Sequence, residues 1–168
     1  MDAVEELLSR NHAFAEGRPP LPESGEPQLR VAVVACMDTR LDVPAALGLR
    51  PGEAHVLRNA GGVVSDDVIR SLAISQRKLG TREVMLIHHT RCGMQTISDD
   101  GFREELLDET GVAPAFAIES FSDVDADLRQ SVLRVRRSPF LLHRDGVRGF
   151  VYDVDDGRLR ELVVEDQR

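Results

Sequence analysis

The chain has 168 residues, of which 42% are hydrophobic and 30% are charged, and this composition is typical of a globular protein rather than a disordered one. The formal net charge of -8 argues against a general nucleic-acid-binding protein, which needs a basic surface to displace counterions. No apolar segment approaches the ~20 residues that span a bilayer, and the N-terminus lacks the layout of a signal peptide. We therefore expect no membrane partner and a cytoplasmic location.

The N-terminal segment combines a helical pattern with a proline-rich run. Residues 2–16 place apolar side chains near helical spacing, and Gly17 with the prolines after it ends this pattern. The length predicts a single domain over residues 1–168, in which residues 1–28 form a helix and a proline-rich tether. Such an arm packs either on its own domain or on a partner subunit.

From Leu29 onwards, short apolar runs alternate with amphipathic segments. This alternation predicts a mainly parallel sheet with helices on both faces. The predicted strands are 30–36, 54–58 and 83–89, and the predicted helices are 43–47, 66–79, 100–109 and 122–136. The first strand is continuously apolar, as expected for a strand that is buried on both faces.

The C-terminal part has the pattern of a β-hairpin. Residues 149–153 and 158–163 flank the turn sequence Asp-Asp-Gly at 155–157. The predicted fold class is therefore α/β, with a mainly parallel open sheet of about four strands flanked by helices. The hairpin adds an antiparallel edge strand, and the N-terminal helix forms an arm.

Two cysteines and a histidine are predicted to end or follow strands of this sheet. Cys36 ends the first strand, His89 ends the third, and Cys92 follows His89 at a spacing of three. The carboxyl ends of parallel strands form the edge where ligands bind, so we expect these side chains to converge. Thiolate and imidazole ligands suit zinc, and three protein ligands leave its fourth position open, as in catalytic sites. The sequence therefore predicts one Zn²⁺ per chain that activates a water molecule.

A carboxylate and a guanidinium follow the first predicted ligand. Asp38 and Arg40 lie just beyond Cys36, and Arg40 can hold Asp38 in a charge-assisted pair. Asp38 then either accepts a hydrogen bond from the water at the open position or becomes the fourth ligand and closes the site. Two thiolates cancel the charge of zinc and weaken its effect on the acidity of water, so we expect activity to favour alkaline pH.

Three short motifs together resemble those of a β-class carbonic anhydrase of the compact branch. They are Cys-x-Asp-x-Arg at 36–40, Arg-Asn-Ala-Gly at 58–61 and His-Thr-Arg-Cys-Gly at 89–93. The resemblance implies reversible hydration of carbon dioxide to bicarbonate and a proton. It implies Cys36, His89 and Cys92 as zinc ligands, with Asp38 and Arg40 as the catalytic dyad. It also implies a homo-oligomer, either a dimer or a multiple of dimers.

The glycine-containing segments beside these motifs carry two interpretations. In the first interpretation, the backbone of four residues faces the substrate: Asn59, Ala60, Gly61 and Gly93. In the other, the glycines at 61 and 62 only form the turn between a strand and a helix.

Two other functions are compatible with the same residues. A hydrolase that acts on carbonyl sulfide or carbon disulfide would use the same site and differ in the shape of its pocket. A zinc-binding protein without catalysis would have a structural or regulatory role, and its Asp38 would close the metal site permanently.

Overall fold

The computed structural model describes residues 2–165. The helices are α1 (Ala3–Gly17), α2 (Val43–Leu47), α3 (Asp66–Leu79), α4 (Asp99–Thr110) and α5 (Val124–Arg137). The strands are β1 (Val31–Cys36), β2 (Ala54–Asn59), β3 (Glu83–His89), β4 (Val147–Tyr152) and β5 (Leu159–Leu162). Short 3-10 turns cover Ala60–Gly62 and Gly93–Gln95. None of the helices found between residues 2 and 165 is long and apolar enough to cross a membrane.

The strands form one sheet in the order β2-β1-β3-β4-β5. The first four strands of this order are parallel to one another, and β5 pairs with β4 in the antiparallel direction. The predicted fold class is confirmed, including the antiparallel edge from the C-terminal hairpin. The interior position of β1, between β2 and β3, explains why its sequence is apolar throughout, because helices or loops cover both of its faces.

Alternate residues of β1 contribute to two different hydrophobic layers. Ala32 and Val34 face a layer that includes Leu72 of α3 and Leu128 of α5. Val33 and Ala35 face the opposite layer, which is closed by α2 and the loop before it. The sheet is therefore covered on both sides, and its carboxyl edge is held rigidly between the two layers.

The helix boundaries follow from local capping signals. The Ser65 side chain accepts a hydrogen bond from the Val68 N–H at the start of α3, and Gly80 ends the helix with a φ of 72°. Both ends of α3 match the sequence prediction. The helix α4 begins one residue earlier than predicted, and α5 begins two residues later, after Asp123 caps its first turn.

Gly62 lies in the turn after β2 and packs against the end of β1. Its φ is 69°, and a Cβ atom there would lie 2.7 Å from the backbone nitrogen of Cys36 and 3.0 Å from the Ile87 carbonyl oxygen. No side chain fits at these distances. The absence of a Cβ thus lets the turn approach the backbone of the two strands that end at Cys36 and His89.

We predict that Gly62→Ala destabilises the fold more than Gly80→Ala. Gly80 has a similar positive φ of 72°, but a Cβ there would meet nothing within 4 Å, so the control variant carries only the backbone strain. The steric contact should cost Gly62→Ala on the order of 2 kcal/mol more in unfolding free energy. Urea unfolding of both variants measures this difference, and equal losses would contradict the prediction.

Candidate metal centre

The site is built where two adjacent parallel strands end. Cys36 is the last residue of β1, His89 is the last residue of β3, and the two strands are hydrogen-bonded neighbours. Arg91 adopts a left-handed backbone conformation with a φ of 54° in the turn that follows β3. That turn returns the chain towards the sheet, so that Cys92 joins the other two side chains.

The structure brings all three predicted ligand residues together. One donor atom from each of Cys36, His89 and Cys92 lies within 4.8 Å of the others, and all three residues are buried. The two sulfur atoms are 3.9 Å apart. The His89 Nε2 atom is buried and has no hydrogen-bond partner among the described residues, so it is available to bind a metal ion.

The two thiols are electrostatically coupled. The pKa of Cys36 falls to about 4 because the Cys92 thiol donates a hydrogen bond to its sulfur, and His89 and the backbone N–H groups of Asp38 and Gly61 lower it further against the opposing effect of burial. The pKa of Cys92 rises because it shares this proton with the Cys36 thiolate and because it is buried. A divalent cation that replaces the shared proton would find two sulfur ligands in place.

The imidazole of His89 is oriented by the backbone of the next residue, Thr90. Its Nδ1 atom lies 2.9 Å from the Thr90 carbonyl oxygen, which makes Nδ1 the protonated nitrogen and leaves Nε2 facing the sulfurs. Burial lowers the pKa of His89, but the nearby Cys36 sulfur, the Thr90 carbonyl and Asp38 outweigh it, and the net change is upward. This tautomer is the one that a metal ligand bound through Nε2 requires.

Asp38 and Arg40 form a two-pronged ion pair beside the cluster. Arg40 Nε donates to Asp38 Oδ1 over 2.9 Å, and Arg40 Nη2 donates to Asp38 Oδ2 over 2.7 Å. These bonds hold the pKa of Asp38 well below its ordinary value. Asp38 Oδ2 is also 3.7 Å from His89 Nε2, so an ionised carboxylate lies at the edge of the three-residue cluster.

Arg40 also connects the loop that follows β1 to the loop that follows β3. Its Nη2 donates to the Arg91 carbonyl oxygen over 3.0 Å, and the left-handed conformation of Arg91 directs this carbonyl towards the guanidinium. One arginine side chain thus joins the loop after β1 to the loop after β3.

An apolar cavity of about 270 Å³ opens beside the cluster. Its lining includes two predicted ligands, Asp38 and three of the residues predicted to face the substrate; the full lining is Cys36, Met37, Asp38, Ala60, Gly61, Cys92, Gly93, Met94 and Ile97. Asn59 is absent from it. The Asn59 side chain instead donates to the Val63 carbonyl oxygen over 2.9 Å, which closes the turn behind the cavity.

Sequence reasoning did not identify Met37, Met94 and Ile97 as parts of the cavity wall. Met37 is 62% exposed although it sits between Cys36 and Asp38. Phe121 was missed as well, and it packs against Cys36, Cys92 and Met94 from a loop far along the chain. Met37 and Met94 lie within or beside the sequence motifs, and this position could have indicated that they line the cavity. No local sequence pattern marks Phe121.

The donor set fits zinc. Two sulfurs and one imidazole nitrogen are the borderline-soft ligands that zinc prefers, and a set of three leaves one tetrahedral position for another group. The buried, unpartnered Nε2 of His89 would gain its missing partner in a metal ion. The fold and this site together define an α/β metal-binding protein with an apolar substrate-sized cavity.

Comparisons with known proteins agree with this class. The family model for carbonic anhydrase matches residues 31–159. The chain is 52% identical over 164 residues to beta-carbonic anhydrase 1 of Mycobacterium tuberculosis, with 97% of this chain and 99% of that protein covered. It is 35% identical over 151 residues to a carbon disulfide hydrolase of Acidithiobacillus thiooxidans, with 78% and 76% covered. The crystal structure of a carbonic anhydrase from Streptococcus mutans matches with a TM-score of 0.88 at 42% identity, covering 97% and 99%.

The chain belongs to the β-class carbonic anhydrase family. It is therefore a lyase whose cofactor is zinc, and the resemblance that the three sequence motifs indicated is confirmed.

We predict that the stabilising effect of Asp38 disappears in acid. Its folded-state pKa lies below the ordinary value of ~3.9, so its contribution is complete above that value and is lost as the pH falls through the folded-state pKa. The difference in unfolding free energy between wild type and Asp38→Asn should therefore shrink from about pH 6 to about pH 2. Urea unfolding of chelator-treated protein measures it.

The control for this prediction is Asp67→Asn. Asp67 also accepts from an arginine, Arg70, over 2.8 Å, but both side chains are largely exposed and lie outside the cluster. This variant should lose little stability at any pH. A difference for Asp38→Asn that stayed constant or grew in acid would show that the ion pair with Arg40 does not stabilise the fold.

Proposed function

We propose that this protein catalyses the reversible hydration of carbon dioxide to bicarbonate and a proton, with Cys36, His89 and Cys92 as zinc ligands. The observation that carries the proposal is the pairing of both Asp38 carboxylate oxygens with Arg40. A carboxylate held in this way is retained by the guanidinium, which leaves the fourth metal position accessible instead of closed by Asp38. An accessible position distinguishes catalytic from structural zinc.

Cys36, His89 and Cys92 would hold the zinc, which would supply an acidified water as the nucleophile. Asp38 is kept ionised by Arg40 and, at the edge of the cluster, would accept a hydrogen bond from that water and so orient it towards the substrate carbon. Arg40 fixes the direction of the carboxylate and does not itself touch the substrate. The proton leaves to solvent through the open side of the cavity.

The cavity wall suits a small apolar substrate. Met37, Met94 and Ile97 line it together with the backbone of Ala60, Gly61 and Gly93. Such a wall binds carbon dioxide without competing hydrogen bonds, and the charged product is released more readily than it would be from a polar pocket. The role of Asn59 in this proposal is to support the wall from behind through Val63.

Carbon disulfide is the second candidate substrate. It is also small, linear and apolar, and the relative from Acidithiobacillus thiooxidans is named as its hydrolase at 35% identity. Carbon dioxide is favoured because the relative at 52% identity, which covers nearly the whole chain, is named as a beta-carbonic anhydrase.

Stopped-flow hydration of carbon dioxide by zinc-loaded protein tests the proposal. We expect activity that rises from neutral to alkaline pH, and we expect Arg40→Ala to lose about 10- to 100-fold in turnover while its zinc content stays close to that of wild type. The matched control is Arg70→Ala, which removes the exposed pair with Asp67 and should leave turnover unchanged.

The outcomes separate the candidate functions. A folded, zinc-loaded wild type that is silent with carbon dioxide across this pH range would overturn the proposal in favour of a structural or regulatory zinc protein. Faster release of hydrogen sulfide from carbon disulfide than hydration of carbon dioxide would favour the second substrate. Loss of zinc from Arg40→Ala would assign Arg40 to metal retention.

A homo-oligomer, either a dimer or a multiple of dimers, is part of the proposal. No residue of α1 is buried, and an apolar stripe along this helix is more than half exposed; it consists of Val4, Leu7, Leu8 and Phe14. A helix gains its stability mainly by packing an apolar face. A second copy of the chain supplies the surface that this arm needs, with residues 1–168 of each copy as one domain.

We predict that Leu7→Lys weakens the oligomer. Light scattering across a dilution series should give a dimer or larger for wild type and a shift towards monomer for the variant, because the charge would be placed in the apolar contact. Ser9→Lys adds the same charge on the other side of α1 and should leave the mass unchanged. A monomeric wild type, or an unaffected Leu7→Lys, would refute the arm's role.

A cytoplasmic location completes the proposal. Cys36 and Cys92 are both free thiols although their sulfurs are only 3.9 Å apart. Two neighbouring thiols that must stay reduced to hold a metal are best kept so in a reducing compartment.

A further inference from the structure

The guanidinium of Arg58 binds two backbone carbonyl groups of the loop that carries Cys36 and Asp38. Arg58 Nε donates to the Cys36 carbonyl oxygen over 2.9 Å, and Arg58 Nη2 donates to the Asp38 carbonyl oxygen over 2.7 Å. Arg58 thus contacts the backbone of Cys36, a proposed zinc ligand, and the backbone of Asp38, the proposed catalytic residue. The side chain itself is not part of the cavity lining.

The position of this contact is where the β1–β2 ladder stops. Cys36 is paired with Asn59 in the parallel register, and the Met37 N–H makes one more bond to the Asn59 carbonyl oxygen over 2.8 Å. Residues beyond Met37 have left the sheet. At the point where the loop begins and the backbone hydrogen bonds between β1 and β2 end, the Arg58 side chain therefore supplies the hydrogen bonds between the two segments.

The rest of the loop is held from the other side. The Asp38 carboxylate accepts from the backbone N–H and the guanidinium of Arg40, and the Asp38 carbonyl also accepts from the Leu41 N–H over 3.0 Å. Arg40 therefore fixes the carboxylate of Asp38, whereas Arg58 binds the peptide groups that follow Cys36 and Asp38. The two arginines act on different atoms of one short segment.

We propose that Arg58 is a positioning residue of the metal centre. By binding the carbonyl groups of Cys36 and Asp38, it fixes the peptide planes that follow these two residues and thereby the directions of the Cys36 sulfur and the Asp38 carboxylate. It thereby positions the Cys36 sulfur for zinc binding and the Asp38 carboxylate for the reaction. The inference about turnover rests on the proposed function, and the inference about metal binding stands on the ligand geometry alone.

Arginine is suited to this role in a way that lysine is not. A planar guanidinium offers two N–H groups in fixed directions, while an ammonium group is a single point of charge on a flexible stem. Arg58 is also exposed, so water can replace its hydrogen bonds to the carbonyl groups when it is removed. Its loss should loosen the loop with a small effect on global stability.

The experiment compares Arg58→Lys and Arg58→Gln with the same substitutions at Arg77. Arg77 is an exposed arginine of α3 whose Nε and Nη2 atoms donate to the Phe140 carbonyl oxygen over 3.1 Å and 2.9 Å. It thus makes the same type of contact with a loop outside the metal centre. For each variant, chelator competition gives the zinc affinity, and the visible absorption of the cobalt-substituted protein reports ligand geometry. Thermal unfolding gives the stability of the metal-free protein.

We expect Arg58→Gln to weaken zinc binding by about 10- to 100-fold and to change the cobalt spectrum. The kcat of the zinc-loaded variant should fall while its KM stays close to that of wild type. Arg58→Lys should show the same changes to a smaller extent, because it restores one of the two donors. The variants at Arg77 should keep the wild-type zinc affinity and cobalt spectrum.

The proposal is overturned if Arg58→Gln keeps the wild-type zinc affinity and cobalt spectrum, or if its thermal unfolding temperature is all that changes. If both arginines only stabilised the fold, substitutions at Arg58 and at Arg77 would alike change only the thermal unfolding temperature. Failure of the proposed function would appear differently, as a wild type that binds zinc but does not hydrate carbon dioxide. In that case the affinity and the spectrum still decide the role of Arg58.

Discussion

The parallel pairing of β1 with β3 determines where every other group of the site can lie. Neighbouring strands are separated by ~4.8 Å, and the three donor atoms of the cluster fall within 4.8 Å of one another. Cys36 and His89 thus meet because their strands end side by side, before any loop contributes. A register shift by one residue would turn the side chains of one strand to the opposite face relative to the other strand, so the hydrophobic layers that fix the register also fix how the ends of β1 and β3 meet.

Beyond the strand ends, arginine side chains take over from the backbone ladder. Arg40 joins the loop after β1 to the Arg91 carbonyl in the loop after β3, and Arg58 joins the loop after β1 to β2. Irregular loops leave many peptide carbonyl groups without sheet partners, and a planar guanidinium can satisfy two of them at once. Arg40 in addition pairs with the Asp38 carboxylate beside the two sulfurs.

The sequence was sufficient for most of the fold and for the cluster because their signals are local. Several elements are predicted by signals within their own segments. These signals are the continuous apolar run of β1, the capping residues Ser65 and Gly80 at the two ends of α3, and the turn before β5. Cys36, His89 and Cys92 follow from strand ends. The contacts around the cluster were not predictable in this way, since Phe121 reaches it through tertiary packing and the contacts of Arg58 depend on the exact register of β2.

Part of the apolar packing around the cluster comes from residues that do not themselves supply donor atoms. Met94 and Ile97 line the cavity from a short 3-10 turn and the residues after it, and Phe121 packs behind the cluster from the loop before α5. The sulfurs and the imidazole are instead fixed by the sheet and the turn after β3. Replacements at Met94, Ile97 or Phe121 can therefore alter which small molecule fits while the three donor atoms stay in place. This separation gives a physical reason why one ancestral scaffold could diversify towards oxygen- and sulfur-containing substrates, such as those named for the relatives of this chain.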